Sequence, residues 1–572
     1  MRSESIAGVF GCIVNHRPLH GALRAAVPAL AATALLTGGA AAAQAASDGL
    51  PLRLPGGAAT IADAGAADPS TWLVGATPGA AAEAIARRFG ARHVGAPQTG
   101  GFVVARGKAR AFAAALRARR LLVYAQANVY VHADAVAPDP LLLPPNDWRA
   151  HVADPSLTPP PVTPSSPLIA LVDAAADMTH PEWTGDPSFT TIPGTPVTSA
   201  HGTATAAVAA APANGIGILG VWPGARTLNV PLPTLPGSNG EISCAASADA
   251  ISKAIAANAA VINMSYGSVA ECAAEKVQIY YAVAEGIIPV AAAGNEFEQG
   301  NPLEFPASLP HVVTVAATDL NDHSADFSSA SDAVDLSAPG VGIETAVPPQ
   351  FDTDGTPDGY QRLSGTSFSA PMVSAAIAWL RAARPSLAPD QAAAAVRLSA
   401  RDVGKPGWDP LTGFGVLDVG AALSLPQSEI PIHDPLEPND NLVWVDGRAF
   451  GGKPSAPIWK GGKAIRLEAL LDKEEDPVDA YRVVVPARSK AKVSVIPRFG
   501  DVQVASFSAA AISINDTRNR LARAALPGSR RTEHLTLSNR GTREHAYYVV
   551  VQPQGRSAYQ DREYTLRIGA AG

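Results

Sequence analysis

From about residue 168 the chain alternates short, continuous apolar runs with alanine-rich stretches of helical period. The runs 168–172, 227–230, 261–265, 287–293 and 312–316 predict strands, and 203–210, 248–257 and 273–285 predict helices between them. Strands that are apolar at nearly every position need cover on both faces, so this order predicts an α/β fold with a doubly wound, mostly parallel sheet. Sheets of that kind hold their ligands at the C-terminal ends of the strands. Polar residues collect there: Asp173 follows Val172, Ser265-Tyr266-Gly267 follows Met264, and Gly294-Asn295 follows Ala293.

Two flanking regions have a different texture. Residues 71–133 read as strand, helix, strand, helix, strand, with strands near 72–74, 101–104 and 122–124 and a second helix over 108–119, a small α+β module. A proline-rich connector, 136–167, reads as extended and cleavable. After residue 425 the segment Asp434-Pro435-Leu436-Glu437-Pro438-Asn439-Asp440 is rich in turns. Apolar runs and alternation at 481–485, 492–495 and 547–551 then predict an antiparallel β-sandwich.

Composition sharpens the organisation. A chain of 572 residues exceeds what one core organises, and 50 Gly with 50 Pro imply many turns. Forty-four Lys and Arg stand against 51 Asp and Glu, for a formal charge of −7 with no basic block, which argues against a nucleic-acid partner. Arg2, Arg17 and Arg24 precede an apolar stretch at 25–36, and Ala43-Gln44-Ala45 has the small-x-small form of a cleavage site, so residues 1–46 predict an export signal and a secreted protein. No later segment has about 20 uninterrupted apolar residues, so no transmembrane anchor is expected after signal removal. Cys12 would leave with the signal, and Cys244 and Cys272 remain as an even pair, predicted to form a disulfide in an oxidising compartment.

The candidate chemistry centres on Leu363-Ser364-Gly365-Thr366-Ser367-Phe368-Ser369-Ala370-Pro371-Met372. Val373, Ala376, Ile377 and Leu380 continue it at helical spacing, and Pro371 suits the start of a helix, so Ser367 sits at a helix N-terminus among free N–H groups. Alone this describes an ordinary N-cap. Three other segments change the reading: Leu171-Val172-Asp173, His201-Gly202-Thr203-Ala204 and Ala292-Ala293-Gly294-Asn295. Together the four blocks resemble the signature blocks of the subtilisin-like (S8) serine proteases, in the order Asp, His, Ser. The resemblance spans about 136–425 and includes lesser blocks at 263–267, 335–340 and 413–415. The rival Gly-x-Ser-x-Gly pattern of α/β-hydrolases does not fit, because Ser369 stands where its second glycine belongs.

The resemblance implies a serine endopeptidase working through an acyl-enzyme intermediate, with no cofactor required for the chemistry. Ser367 would be the nucleophile, His201 the base that takes its proton, and Asp173 the group that orients the imidazole. The Asn295 amide and the Ser367 N–H would hold the oxyanion. Ser265, Tyr266 and Gly267 would pair with substrate backbone, while Ala292, Ala293 and Gly294 would wall the pocket for the residue before the scissile bond. Glu304 at its base and Glu296 near its rim would favour Lys or Arg. Glu182 and Asn214, with the carbonyls of Ile216 and Ile218, match positions that hold a structural calcium in some relatives.

The small module resembles the family's inhibitory propeptide, and the sandwich resembles the pre-peptidase C-terminal domains of secreted proteases. The expected division is signal 1–46, propeptide 47–135, protease 136–425 and sandwich 426–572. Protein or peptide substrates, and the propeptide as intramolecular inhibitor, are the expected partners. Ala174 and Ala175 replace the usual Ser/Thr-Gly after the aspartate, and Ala204 and Ala207 replace a histidine and a glycine. These departures leave an alternative open: a catalytically weak subtilase-like protein acting as a surface-binding or adhesion module.

Overall fold

The computed structural model describes residues 67–93, 101–129, 141, 147–183, 186–234, 242–447, 454–498, 500–528, 530–554 and 562–571. The expected export signal, Cys12 and part of the connector lie outside these residues. The chain divides into two units, one within Arg17–Val136 and one containing Ala137–Gly572.

The first unit runs β1 (Ala67–Ala76), α1 (Ala80–Phe89), β2 (Arg92–His93), β3 (Gly101–Ala105), α2 (Arg106–Ala118) and β4 (Leu122–Val129). Its sheet has the order β2-β3-β1-β4 with antiparallel neighbours, the split β-α-β arrangement. Both helices are amphipathic. Ile85 of α1 and Phe112 and Leu116 of α2 form one core with Val74, Phe102 and Val104 of the sheet.

The second unit begins with α3 (Trp148–Val152), β5 (Ile169–Asp173), β6 (Phe189–Thr191), α4 (His201–Ala210), β7 (Thr227–Pro231), α5 (Cys244–Ala256), β8 (Val261–Met264), α6 (Ala273–Ala284) and β9 (Ile288–Ala292). It continues through β10 (Val313–Thr318), β11 (Val334–Pro339), β12 (Ile343–Ala346), β13 (Tyr360–Leu363), α7 (Thr366–Ala383), α8 (Pro389–Leu398) and α9 (Val419–Ser424). Seven strands form a parallel sheet in the order β11-β10-β9-β8-β5-β7-β6. The winding reverses around β5, whose last residue is Asp173, and that switch point is where such sheets open a crevice. β5, β8, β9 and β10 are buried at every position, which is why they read as largely apolar runs.

Strand β11 escapes the apolar pattern because its buried polar groups are satisfied internally. Asp335 meets Arg397 of α8 at 3.3 Å, and Ser337 Oγ donates to the Gly415 carbonyl at 3.0 Å. Helix α7 corrects another expectation. It starts at Thr366, so Pro371 lies inside it rather than at its start. A proline there cannot donate to the carbonyl four residues back, that of Ser367, and the Ser265 hydroxyl donates to it instead, at 2.9 Å. The disulfide forms as expected: Cys244 opens α5, Cys272 precedes α6, and their Cα atoms are 5.7 Å apart.

After a short α10 (Leu442–Val445) come β14 (Ile465–Ala469), β15 (Asp479–Val485), β16 (Ser489–Pro497), β17 (Val502–Ser508), β18 (Arg520–Ala524), β19 (Glu533–Asn539), β20 (His545–Pro553) and β21 (Tyr564–Ala570). They form two antiparallel sheets, β14-β21-β16-β19 and β15-β20-β17-β18, closed over Trp459, Tyr481, Val493, Val549 and Leu566. Against the α/β part, Trp444 of α10 stacks on Tyr280 of α6 at 4.5 Å, and His311 reaches Asp440 at 2.9 Å.

Candidate active site

The expected catalytic residues converge at the C-terminal edge of the parallel sheet. Asp173 ends β5 and is 1% exposed, and His201 opens α4 and is 5% exposed. Their side chains meet with His201 Nδ1 2.6 Å from Asp173 Oδ1. The Ala174 N–H donates to the same oxygen at 2.6 Å, and the Thr205 hydroxyl donates to Oδ2 at 2.9 Å. An acceptor at that carboxylate selects the imidazole tautomer with the proton on Nδ1, which leaves Nε2 to act as base. Thr205 was not anticipated, although it lies four residues after His201, one turn along the same helix face.

Gly202 makes this approach feasible. A Cβ there would lie 2.0 Å from the Ala174 carbonyl oxygen, so α4 can sit against the end of β5 only with glycine at this position. Ala174, Ala175, Ala204 and Ala207 are all buried in this contact region, with exposures from 0 to 5%. The departures from the family pattern are therefore small side chains in a close-packed layer.

Ser367 is the second residue of α7 and half-buried. The next residue, Phe368, places its ring 5.8 Å from the His201 imidazole, which brings the start of α7 to the start of α4. Ser367 Oγ donates to the Ser265 carbonyl at 3.3 Å. Ser265 in turn accepts from Asn263 Nδ2 at 2.9 Å, so the end of β8 is tied to the first turn of α7.

Asn295 has its amide oxygen committed to α7. Thr366 donates to Oδ1 from its N–H at 2.9 Å and from its hydroxyl at 3.1 Å. That makes Asn295 the cap of a helix whose own N-cap, Gly365, has no side chain to offer. With Oδ1 held by Thr366, the amide N–H₂ is left as a donor on the other branch of the side chain.

The expected pocket residues group beside this edge. Ala292 and Ala293 are buried at the end of β9, while Gly267 and Gly294 are half-buried. Glu304 lies between the two glycines: a Cβ on Gly267 would lie 2.9 Å from its Oε2, and one on Gly294 2.6 Å from its Cγ. Gly294 has φ 108°, a backbone that glycine alone adopts easily. Burial, and then the nearby Glu296 carboxyl, push Glu304 up to about 8. Glu296 accepts from the Asn295 N–H at 2.6 Å, which links the acid pair to the amide. The Tyr266 hydroxyl donates to Glu275 of α6 at 2.9 Å, which holds its side chain inward.

The residues matched to a calcium position come together around Glu182. The Tyr360 hydroxyl donates to Glu182 Oε2 at 2.5 Å, Asn214 Nδ2 donates to the Glu182 carbonyl at 3.0 Å, and Asn214 Oδ1 accepts from the Ile216 N–H at 3.0 Å.

Residues 167–415 match the subtilase family. The chain is 34% identical over 317 residues to fervidolysin of Fervidobacterium pennivorans, covering 50% of this chain and 44% of that sequence. It is 35% identical over 230 residues to a subtilisin of Bacillus pumilus, covering 39% of this chain and 80% of the relative. The crystal structure of fervidolysin, described as a keratinolytic enzyme related to subtilisin, superposes with TM-score 0.44 at 20% identity, over 82% of this chain and 85% of that one. The chain spans less than half of the fervidolysin sequence, but it includes most of the shorter subtilisin. With four fifths of a 35%-identical subtilisin matched, the chain belongs to the subtilase family.

Proposed function

We propose that this chain is a secreted serine endopeptidase that hydrolyses peptide bonds through Asp173, His201 and Ser367. The 2.6 Å contact between His201 Nδ1 and Asp173 Oδ1, at the start of the helix that faces Ser367, carries the proposal. In this reading His201 Nε2 takes the proton of the Ser367 hydroxyl as its oxygen attacks the scissile carbonyl, and Asp173 stabilises the imidazolium formed. The oxyanion is held by Asn295 Nδ2 and the Ser367 N–H, and His201 then protonates the departing amine. Water hydrolyses the acyl-enzyme by the reverse relay. No metal enters any step.

Residues 1–46 act as the export signal and 136–425 as the protease. The unit with the split β-α-β sheet, within 47–135, serves as an intramolecular inhibitor until it is cut away, and 426–572 forms the appended sandwich. Substrates are proteins or peptides that add a strand along Ser265, Tyr266 and Gly267. Glu304, with Glu296, gives a preference for Lys or Arg before the scissile bond. N-terminal sequencing of the purified protein beside its Ser367→Ala variant tests the scheme. The active chain is expected to start near the connector and the variant to keep its N-terminal unit; identical N-termini would count against self-processing.

A further inference from the structure

Charge is divided along the chain in a way that the net figure hides. Residues 136–425 hold 10 Lys and Arg against 28 Asp and Glu, whereas residues 448–572, which contain every sandwich strand, hold 21 against 12. Four of those 12 acids, Asp472, Asp476, Asp479 and Glu533, are buried, so the surface of the sandwich is more basic than the count implies. One of its two outer faces is covered: Ala480, Phe507, Tyr548 and Val550 of the β15-β20-β17-β18 sheet pack with Leu442 and Val445 of α10. The outer face of the β14-β21-β16-β19 sheet is open, with Arg466, Lys490, Lys492, His534, Thr536 and Arg567 all exposed.

Alternation along the strands sets this face. Val493 of β16, Leu535 and Leu537 of β19, and Leu566 and Ile568 of β21 point into the core, which turns the intervening residues outward. The register places Arg466 opposite Arg567, and Ser494 opposite both Arg567 and His534, so one row of four crosses the sheet. Lys492, two residues from Ser494, stands between Gly569 and Thr536, and Lys490 follows beside Ser538. Glu468, the only acid these strands turn outward among the described residues, pairs with Arg466 at 2.6 Å. Among the described residues no acidic side chain pairs with Arg567, Lys490 or Lys492. Two arginines directly opposite each other in a ladder repel, and a bound anion relieves that. Among the described residues these four strands turn no Phe, Tyr or Trp outward. A single-stranded nucleic acid would call for stacking rings there, and a membrane surface for apolar anchors. A chain of acidic sugars calls for cations beside hydroxyls, and Ser494, Thr536 and Thr565 supply the hydroxyls.

We propose that the outer face of the β14-β21-β16-β19 sheet binds an acidic polysaccharide, with Arg466, Arg567, Lys490 and Lys492 meeting its acid groups. The α/β part has the opposite charge, so such a polymer is drawn to the sandwich and not to residues 136–425. The test measures binding of the purified protein to immobilised alginate, a polyuronate, at rising salt. Free alginate, neutral dextran, single-stranded DNA and anionic phospholipid vesicles serve as competitors. Free alginate should displace the protein far more readily than DNA or vesicles, and dextran should leave it bound. Lys492→Gln/Arg567→Gln should weaken binding roughly tenfold or more and flatten its salt dependence, because two charge contacts are lost. Both residues are exposed, so the melting temperature should hold. Arg518→Gln/Arg520→Gln, which removes the same charge at the start of β18 on the other sheet, should bind as the parent does. Equal loss in the two double variants, no binding to alginate, or displacement by DNA or vesicles as readily as by free alginate would overturn the proposal.

Discussion

Ser265 and Ser367 hold each other reciprocally: the Ser265 hydroxyl donates to the Ser367 carbonyl at 2.9 Å, and the Ser367 hydroxyl donates to the Ser265 carbonyl at 3.3 Å. The first bond replaces the one that Pro371 cannot make, and so sets the backbone of the proposed nucleophile. The second holds its hydroxyl beside the strand end where substrate would lie. Ser265→Ala should leave the Ser367 carbonyl without its donor, at a cost of about 1–3 kcal/mol, and lower kcat more than it raises KM. A change confined to KM would make Ser265 a substrate contact only.

Asn295 has two roles that one pair of variants separates. Asn295→Ala removes both the cap on Thr366 and the oxyanion donor, so thermal stability should fall by about 1 kcal/mol and kcat by about 10²–10³. Asn295→Asp keeps an acceptor for Thr366 but no donor. It should hold the melting temperature and still lose kcat; an active Asp variant would place the oxyanion elsewhere.

Glu304 predicts a pH dependence of defined sign. Its carboxyl titrates near 4.5 when unfolded and near 8 in the fold, so between those values the folded chain holds a proton that the unfolded chain has lost. Its contribution to stability is therefore full below pH 4.5 and declines as pH rises to about 8. Glu304→Gln should raise the melting temperature relative to the parent at pH 8.5 and change it little at pH 4. In peptide cleavage, preference for Lys or Arg over neutral residues should grow as pH passes 8 in the parent and stay flat in the variant.

Gly202→Ala should be more disruptive than an exposed alanine substitution, because the new Cβ would lie 2.0 Å from the Ala174 carbonyl oxygen. The helix start would have to move, taking His201 away from Asp173. Circular dichroism should show a lowered melting temperature, and kcat should fall with it; normal values for both would mean that the helix can shift without disturbing the pair.

What could be read from the sequence follows from how local each signal is. Asp173, His201, Asn295 and Ser367 sit in short segments at the ends of strongly patterned strands and helices, so their placement at one sheet edge was legible. Strand β11 was not, because Asp335 and Ser337 interrupt its apolar run and are satisfied by Arg397 and Gly415, partners at least 60 residues away in sequence. The start of α7 was misjudged for a related reason: Pro371 signals a first turn unless another residue serves the carbonyl it abandons.

The most direct test is covalent labelling with an organophosphorus serine reagent, read by peptide mass spectrometry on the purified protein and on its His201→Ala and Ser367→Ala variants. One adduct is expected, on Ser367, absent from Ser367→Ala and slowed by orders of magnitude in His201→Ala. An unlabelled Ser367, or labelling at the same rate without His201, would contradict it.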